Sequence, residues 1–275
     1  MSRPFLVVGA MKSGTTTLEE VLAVHPDVEI VAEKETTSFA DEPDPRVVRA
    51  MTQSRRTAAG EVSTAYMQRP AIVVDATRCA ASFEDTDPLH VLAVLRDPYE
   101  RAVSHWRHWA QLGRNRHGRP EDLLCDPAGP YVAFSSYHRQ LTPWVEACGR
   151  DRVLALRLED YDRSPHAWAT QVVSFLDLPR GVTSEMLDVH LNDAVTRVVA
   201  RGLSAKVAAS GVYRRVLRPV VPTRVRRAGA MALGGRRGGE ATTFAPSTEE
   251  RFREVIAEDA QRLKAAWPHL DWTRE

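Results

Sequence analysis

Lys12, Ser13, Gly14, Thr15, Thr16 and Thr17 fall together in the stretch Gly9-Ala-Met-Lys-Ser-Gly-Thr-Thr-Thr17. Glycines let a chain turn sharply and aim successive amide N–H groups at one point. The threonine and serine hydroxyls add donors, and Lys12 adds a full positive charge. That is the chemistry of a cradle for phosphate or sulfate. Lysine is scarce in this chain: Lys12, Lys34, Lys206 and Lys264 are the only four among 37 basic residues. One of them inside a set of anion donors is therefore a pointer. The plain structural alternative is a glycine turn capped by threonines, with no ligand.

The nucleotide-binding pattern G-x-x-x-x-G-K-[ST] is nearly present and fails. Gly9 and Gly14 have its spacing, but Thr15 stands where it needs lysine, and the lysine lies inside the loop as Lys12. A second anion ligand is Arg96, in Arg96-Asp-Pro-Tyr-Glu-Arg-Ala-Val-Ser104. A guanidinium binds phosphate through two parallel N–H bonds. The alternative for Arg96 is an ion pair with Asp97 or Glu100. Ser104, eight residues on, shares an anion with Arg96 only if the intervening loop folds back.

These residues need elements to hold them. Phe5–Val8 reads as a strand closed by Gly9, and helical spacing from about Thr16 places Leu18, Val21 and Leu22 on one face, stopping at His25-Pro26. Val28–Val31 reads as a strand, residues 46–59 and 70–83 as helices. The continuous apolar run Val91–Leu95 has the pattern of a parallel strand buried on both faces. A helix follows from about Tyr99, another spans 136–149, Val153–Leu156 is a strand and 164–177 a helix. Ser247-Thr-Glu-Glu250 has the form of a capping box opening a last helix with Phe252, Val255, Ile256 and Leu263 inside. Alternating strands and helices predict an α/β fold with three layers, a central parallel sheet flanked by helices. In such sheets ligands bind at the carboxyl ends of the strands, which puts Arg96 on the same rim as the Lys12 loop.

The whole chain bounds the function. Its 275 residues suit a single domain over 1–275. A formal net charge of +1 argues against a general nucleic-acid or polybasic membrane binder. Residues 197–239 nevertheless carry eleven basic side chains and no acid, ending in the glycine-rich Gly234–Gly239, so a basic stretch over about 197–245 reads as a lid or loop region. Cys79, Cys125 and Cys148, an odd set without C-x-x-C, fit a reducing, cytoplasmic setting and offer no metal framework. No apolar run approaches the roughly 18 residues of a membrane span.

Met11-Lys-Ser-Gly-Thr-Thr-Thr-Leu18 resembles the 5′-phosphosulfate loop of sulfotransferases that use 3′-phosphoadenosine 5′-phosphosulfate (PAPS). Arg96–Ser104 is similar to their 3′-phosphate motif, R-[DN]-P-x-x-R-x-x-S. Leu22-Ala-Val-His-Pro-Asp-Val28, Lys34-Glu-Thr-Thr-Ser-Phe39, Gly60-Glu-Val-Ser-Thr-Ala-Tyr66 and the helix Tyr137–Leu141 with Trp144 resemble the branch that contains heparan-type carbohydrate sulfotransferases and bacterial relatives. The resemblance covers roughly residues 4–180. It implies a P-loop-like fold, PAPS as donor with 3′-phosphoadenosine 5′-phosphate (PAP) as product, no metal, and a hydroxyl of a small molecule, sugar or lipid as acceptor.

The same resemblance assigns roles. Lys12 neutralises charge on the sulfate and leaving oxygen, and Glu35 is the base. Ser13, Gly14, Thr15, Thr16, Thr17, Arg96, Ser104 and Tyr137 bind the cofactor. Arg236, Arg237 and Gly238 cover it from a glycine-rich loop. A base that activates an alcohol works best near the operating pH, so burial is expected to raise the pKa of Glu35; the alternative is a plain ion pair with Lys34 or Lys12. Val62 stands where the branch often has lysine, and Thr36-Thr37 where it often has histidine. Two other functions fit parts of the pattern: a kinase using ATP–Mg, with Asp97 as the metal-binding acid, and a nucleotide-binding module without catalysis.

Overall fold

The computed structural model describes residues 2–115, 117–183, 187, 198–199, 236–237 and 243–272. Five parallel strands make the sheet: β1 (Arg3–Gly9), β2 (Val28–Ile30), β3 (Ala58–Val62), β4 (His90–Leu95) and β5 (Val153–Arg157), in the order β2-β3-β1-β4-β5. Successive side chains of a strand face opposite ways, and here both faces are covered. Phe5, Val7, Leu92 and Val94 pack with Leu18 and Leu22 of α1 (Thr15–Val24) and with Trp168 and Val172. Leu6, Val8, Val91, Ala93 and Leu95 pack in a second cluster with Tyr137, Leu141, Trp144 and Leu263. The result is the three-layer α/β architecture expected from the alternation of strands and helices.

Two elements depart from the sequence reading. The helix expected over 46–59 is α2 (Pro45–Thr52), and Ala58–Val62 is instead β3, between β2 and β1. This strand has Ala58, Ala59 and Gly60 where β-branched residues usually signal one. Gly60 explains the composition, since a Cβ there would strike the Phe5 carbonyl and ring. The helix expected over 70–83 is confined to α3 (Ala76–Ala81), with Asp75 capping it by accepting from Arg78 N–H at 3.0 Å.

The remaining helices follow β4 and β5. They are α4 (Pro98–Gln111), α5 (Pro120–Leu124), α6 (Pro130–Ala133), α7 (Tyr137–Cys148), α8 (Leu158–Arg163), α9 (Pro165–Phe175), α10 (Pro246–Val255) and α11 (Ala257–Ala266). Helix α10 begins one residue before Ser247 and has no side-chain cap, so the expected capping box does not form. The chain forms two compact units, one of residues 1–106, 116–189 and 244–275, the other of 107–115 and 190–243. In the second, β6 (Val198–Val199) pairs antiparallel with β7 (Arg236–Arg237). No helix among the described residues is long and apolar enough to cross a membrane.

Candidate active site

The loop between β1 and α1 starts where β1 is anchored: Ala10 N–H donates to Val94 O at 2.7 Å. Two left-handed residues then shape it, Lys12 at φ 71° and Gly14 at φ 87°. Gly14 is the N-cap of α1, and a Cβ on it would collide with Leu158 at the end of β5. The first turn of a helix leaves its amides without intrahelical acceptors. Here those amides belong to Thr15 and Thr16, beside Lys12 and Ser13, while Thr17 N–H donates to Gly14 O at 2.9 Å. Ser13 is fully buried, and its hydroxyl has no hydrogen bond of good geometry although it faces the Tyr137 hydroxyl. Thr16 is engaged: its Oγ1 accepts from Lys34 Nζ at 2.9 Å, and Lys34 also pairs with Glu19 at 2.7 Å.

Glu35 arrives from the β2 side of the sheet but is held by β3. Its N–H donates to Val62 O at 3.1 Å, and its Oε2 accepts from Thr64 N–H at 3.1 Å and Thr64 Oγ1 at 2.7 Å. Gln68 Nε2 lies 3.5 Å from both Thr64 Oγ1 and Met11 Sδ, which joins this corner to the Lys12 loop. Contrary to the sequence reading, which expected it to be buried, Glu35 is exposed.

On the other side of β1, Arg96 leaves the end of β4. Its Nη2 pairs with Glu100 Oε2 at 3.1 Å, and its carbonyl accepts from Tyr137 Oη at 2.8 Å. Only Asp97 separates Arg96 from α4, and Ser104 stands one helical turn beyond Glu100, the residue that Arg96 pairs with. Tyr137 is wholly buried, and burial raises its pKa to about 12. It therefore serves as a donor bracing the Arg96 turn.

Asp97 is fully committed. Its Oδ1 accepts from Glu100 N–H at 2.9 Å, its Oδ2 from Arg253 Nη1 at 3.0 Å, and its own N–H donates to Glu159 at 2.8 Å. A metal-binding acid of a kinase needs its carboxylate for the ion, and this one is occupied by backbone and guanidinium.

Sequence reasoning missed the supports. Arg101 is entirely buried, donates to Ser135 Oγ and Tyr131 O at 2.7 Å each, and is pulled down to about 10 by burial. Arginine in the third place after Pro98 was visible in the motif, but nothing in its type says it faces inward. Thr64 and Arg253 carried no signal, because their partners lie 29 and 156 residues away. Of the glycine-rich candidates, Arg236 and Arg237 form β7, and Gly238 lies outside the described residues, as does most of the basic stretch. A concavity of about 990 Å³ lies along β2 and α2 and includes none of the site residues above. Among the described residues no group of three His, Cys, Asp or Glu is arranged to hold a metal.

Lys12 on its loop, Glu35 on the β3 side and Arg96 on the β4 side thus share the carboxyl edge of one parallel sheet. The sequence profile of the sulfotransferase domain matches residues 2–198. The chain belongs to the sulfotransferase domain family. Among solved structures it is similar to a sulfotransferase from Alicyclobacillus acidocaldarius, at 21% identity and TM-score 0.64, covering 99% of this chain and 98% of that one. It is also similar to mouse sulfotransferase SULT7A1 complexed with PAP, at 16% identity and TM-score 0.54, covering 96% and 86%. A sequence search of curated proteins gave no match. The structural likenesses establish the fold, and the family match makes the chain a sulfotransferase.

Proposed function

We propose that this sulfotransferase moves a sulfuryl group from PAPS to a hydroxyl of a small-molecule, carbohydrate or lipid acceptor, with Glu35 as base. The observation that carries the reading is the placement of Glu35 and Arg96 on opposite sides of the Lys12 loop, at one sheet edge. The donor set fits the group: a lysine, a buried serine hydroxyl lacking a well-formed bond, helix-start amides and a separate arginine match two anionic ends better than one. Lys12, Ser13, Gly14, Thr15, Thr16 and Thr17 would hold the 5′-phosphosulfate, Arg96 and Ser104 the 3′-phosphate, with Tyr137 bracing Arg96. Mouse SULT7A1, which shares the fold, was solved complexed with PAP, in keeping with PAP as the nucleotide product here.

When bound, PAPS supplies the activated sulfuryl group. The chain supplies position and charge, which carry most of the rate in transfers of this kind. Lys12 places positive charge where negative charge grows on the leaving oxygen. Glu35 Oε2 is fixed by Thr64, so the other carboxylate oxygen is left to take the acceptor proton. Thermal denaturation tests the reading: PAP should stabilise the protein by mass action, more than ATP–Mg does. Stabilisation by ATP–Mg alone overturns it.

A further inference from the structure

Glu61 is a carboxylate in the centre of a hydrophobic strand. It is 0% exposed, and its neighbours Ala58, Ala59, Gly60 and Val62 are buried as well. Burying a charge-bearing group is costly unless it is well bonded. Its Oε1 accepts from the hydroxyls of Thr36 and Tyr66, the latter at 2.5 Å, while its Oε2 is buried without a hydrogen-bond partner. Nothing in the packing of β3 calls for an acid. What the acid organises is the segment that follows Glu35.

Each residue of the tie can be named. Thr36 donates its hydroxyl to Glu61, and its carbonyl accepts from Ser63 Oγ at 2.5 Å. Tyr66 donates to Glu61 and accepts from Phe39 N–H at 3.1 Å. Burial, and then the Glu61 carboxylate, raise the Tyr66 pKa, which keeps the phenol a donor. Glu35 itself has φ 62°, a left-handed backbone that a residue with a side chain keeps only when its surroundings over-determine it.

We propose that Glu61 is a positioning residue for sulfuryl transfer. By accepting the Thr36 and Tyr66 hydroxyls, its buried carboxylate locks residues 35–39 onto the end of β3 and so aims Glu35 at the transfer edge. The proposal rests on the reading of Glu35 as base.

The test compares Glu61→Met and Thr36→Val, which remove the acceptor or the donor at similar volume, with Glu61→Gln and Thr36→Ser, which keep them. Turnover is read as PAP released from PAPS with water or a simple primary alcohol as acceptor. The Phe39 amide is followed by hydrogen exchange in the nucleotide-free protein. Glu61→Met and Thr36→Val should lose about 10- to 100-fold in kcat, the scale of a misplaced catalytic group, with PAP affinity kept within about twofold. Phe39 should exchange faster in both, and Glu61→Gln and Thr36→Ser should restore both readouts. Should Glu61→Met fail to fold, Thr36→Val and Thr36→Ser decide alone. Unchanged kcat and exchange in Thr36→Val, beside an inactive Glu35→Gln, overturns this inference and leaves the base reading standing. Full turnover in Glu35→Gln overturns both.

Discussion

The ion pair between Arg96 and Glu100 makes a strong prediction, because under the proposed assignment a 3′-phosphate has to displace it. The pair spans 3.1 Å, its side chains are 31% and 50% exposed, and it has i,i+4 spacing. Such a pair contributes about 0.5 kcal/mol. Once Arg96 turns to a phosphate, Glu100 also faces two negative charges. At about 6 Å in water that repulsion is about 1.4 kcal/mol, halved to about 0.7 kcal/mol by physiological salt. Replacing Glu100 by alanine removes both penalties, so PAP should bind Glu100→Ala more tightly by about 1 kcal/mol, roughly fivefold. Calorimetric titration with PAP and with AMP, which lacks the 3′-phosphate, separates the effect from general charge. AMP affinity should hardly move, and the PAP gain should shrink at about 0.5 M salt. Arg96→Ala should do the reverse, weakening PAP about 10- to 100-fold and AMP far less. Weaker PAP binding in Glu100→Ala, or equal shifts for PAP and AMP, refutes the assignment of Arg96 to the 3′-phosphate.

Further outcomes follow from other contacts. Glu35→Gln should keep PAP affinity while losing about 10²- to 10⁴-fold in turnover, as expected when a general base is removed. Gly14→Ala should abolish PAP-induced thermal stabilisation: a left-handed alanine costs about 1–2 kcal/mol, and its methyl meets Leu158. Tyr137 has a folded pKa raised to about 12 from 10.0, so its contribution is fully present below pH 10 and is lost as pH rises through 12. That amounts to about 3 kcal/mol, and Tyr137→Phe should flatten this part of the alkaline stability curve measured by denaturant titration.

Much of the architecture was legible because chemistry and pattern coincide at the first and fourth strands. Val91–Leu95 is apolar throughout because helices cover both faces of the sheet, and a strand of that kind announces itself. Gly14 and Lys12 mark the proposed anion loop through residue types that ordinary turns rarely combine. Ala58–Val62 stayed hidden because close contact with Phe5 demands small residues, and small residues carry no strand signature. Glu35 was singled out, but its environment was not: proximity to Thr64 depends on β2 lying next to β3, a fact of topology that spacing along the chain does not encode. Arg101 was visible only as a charge, and charge predicts exposure, whereas here it fills an interior gap between α4 and α6.

The sheet edge proposed to bind nucleotide is finished by residues far beyond the family match, which ends at 198. Arg253 reaches Asp97, Asp259 accepts from the first amides of α7 at 3.0 and 2.9 Å, and Trp272 Nε1 donates to Glu159 at 3.0 Å. During synthesis, at about 5–20 residues per second, the Lys12 loop and β4 exist for seconds before any of these partners emerges. A nascent chain stopped short of α10 and α11 would carry both anion motifs and the Tyr137 brace, and would still lack the Arg253 contact to Asp97 beside Arg96.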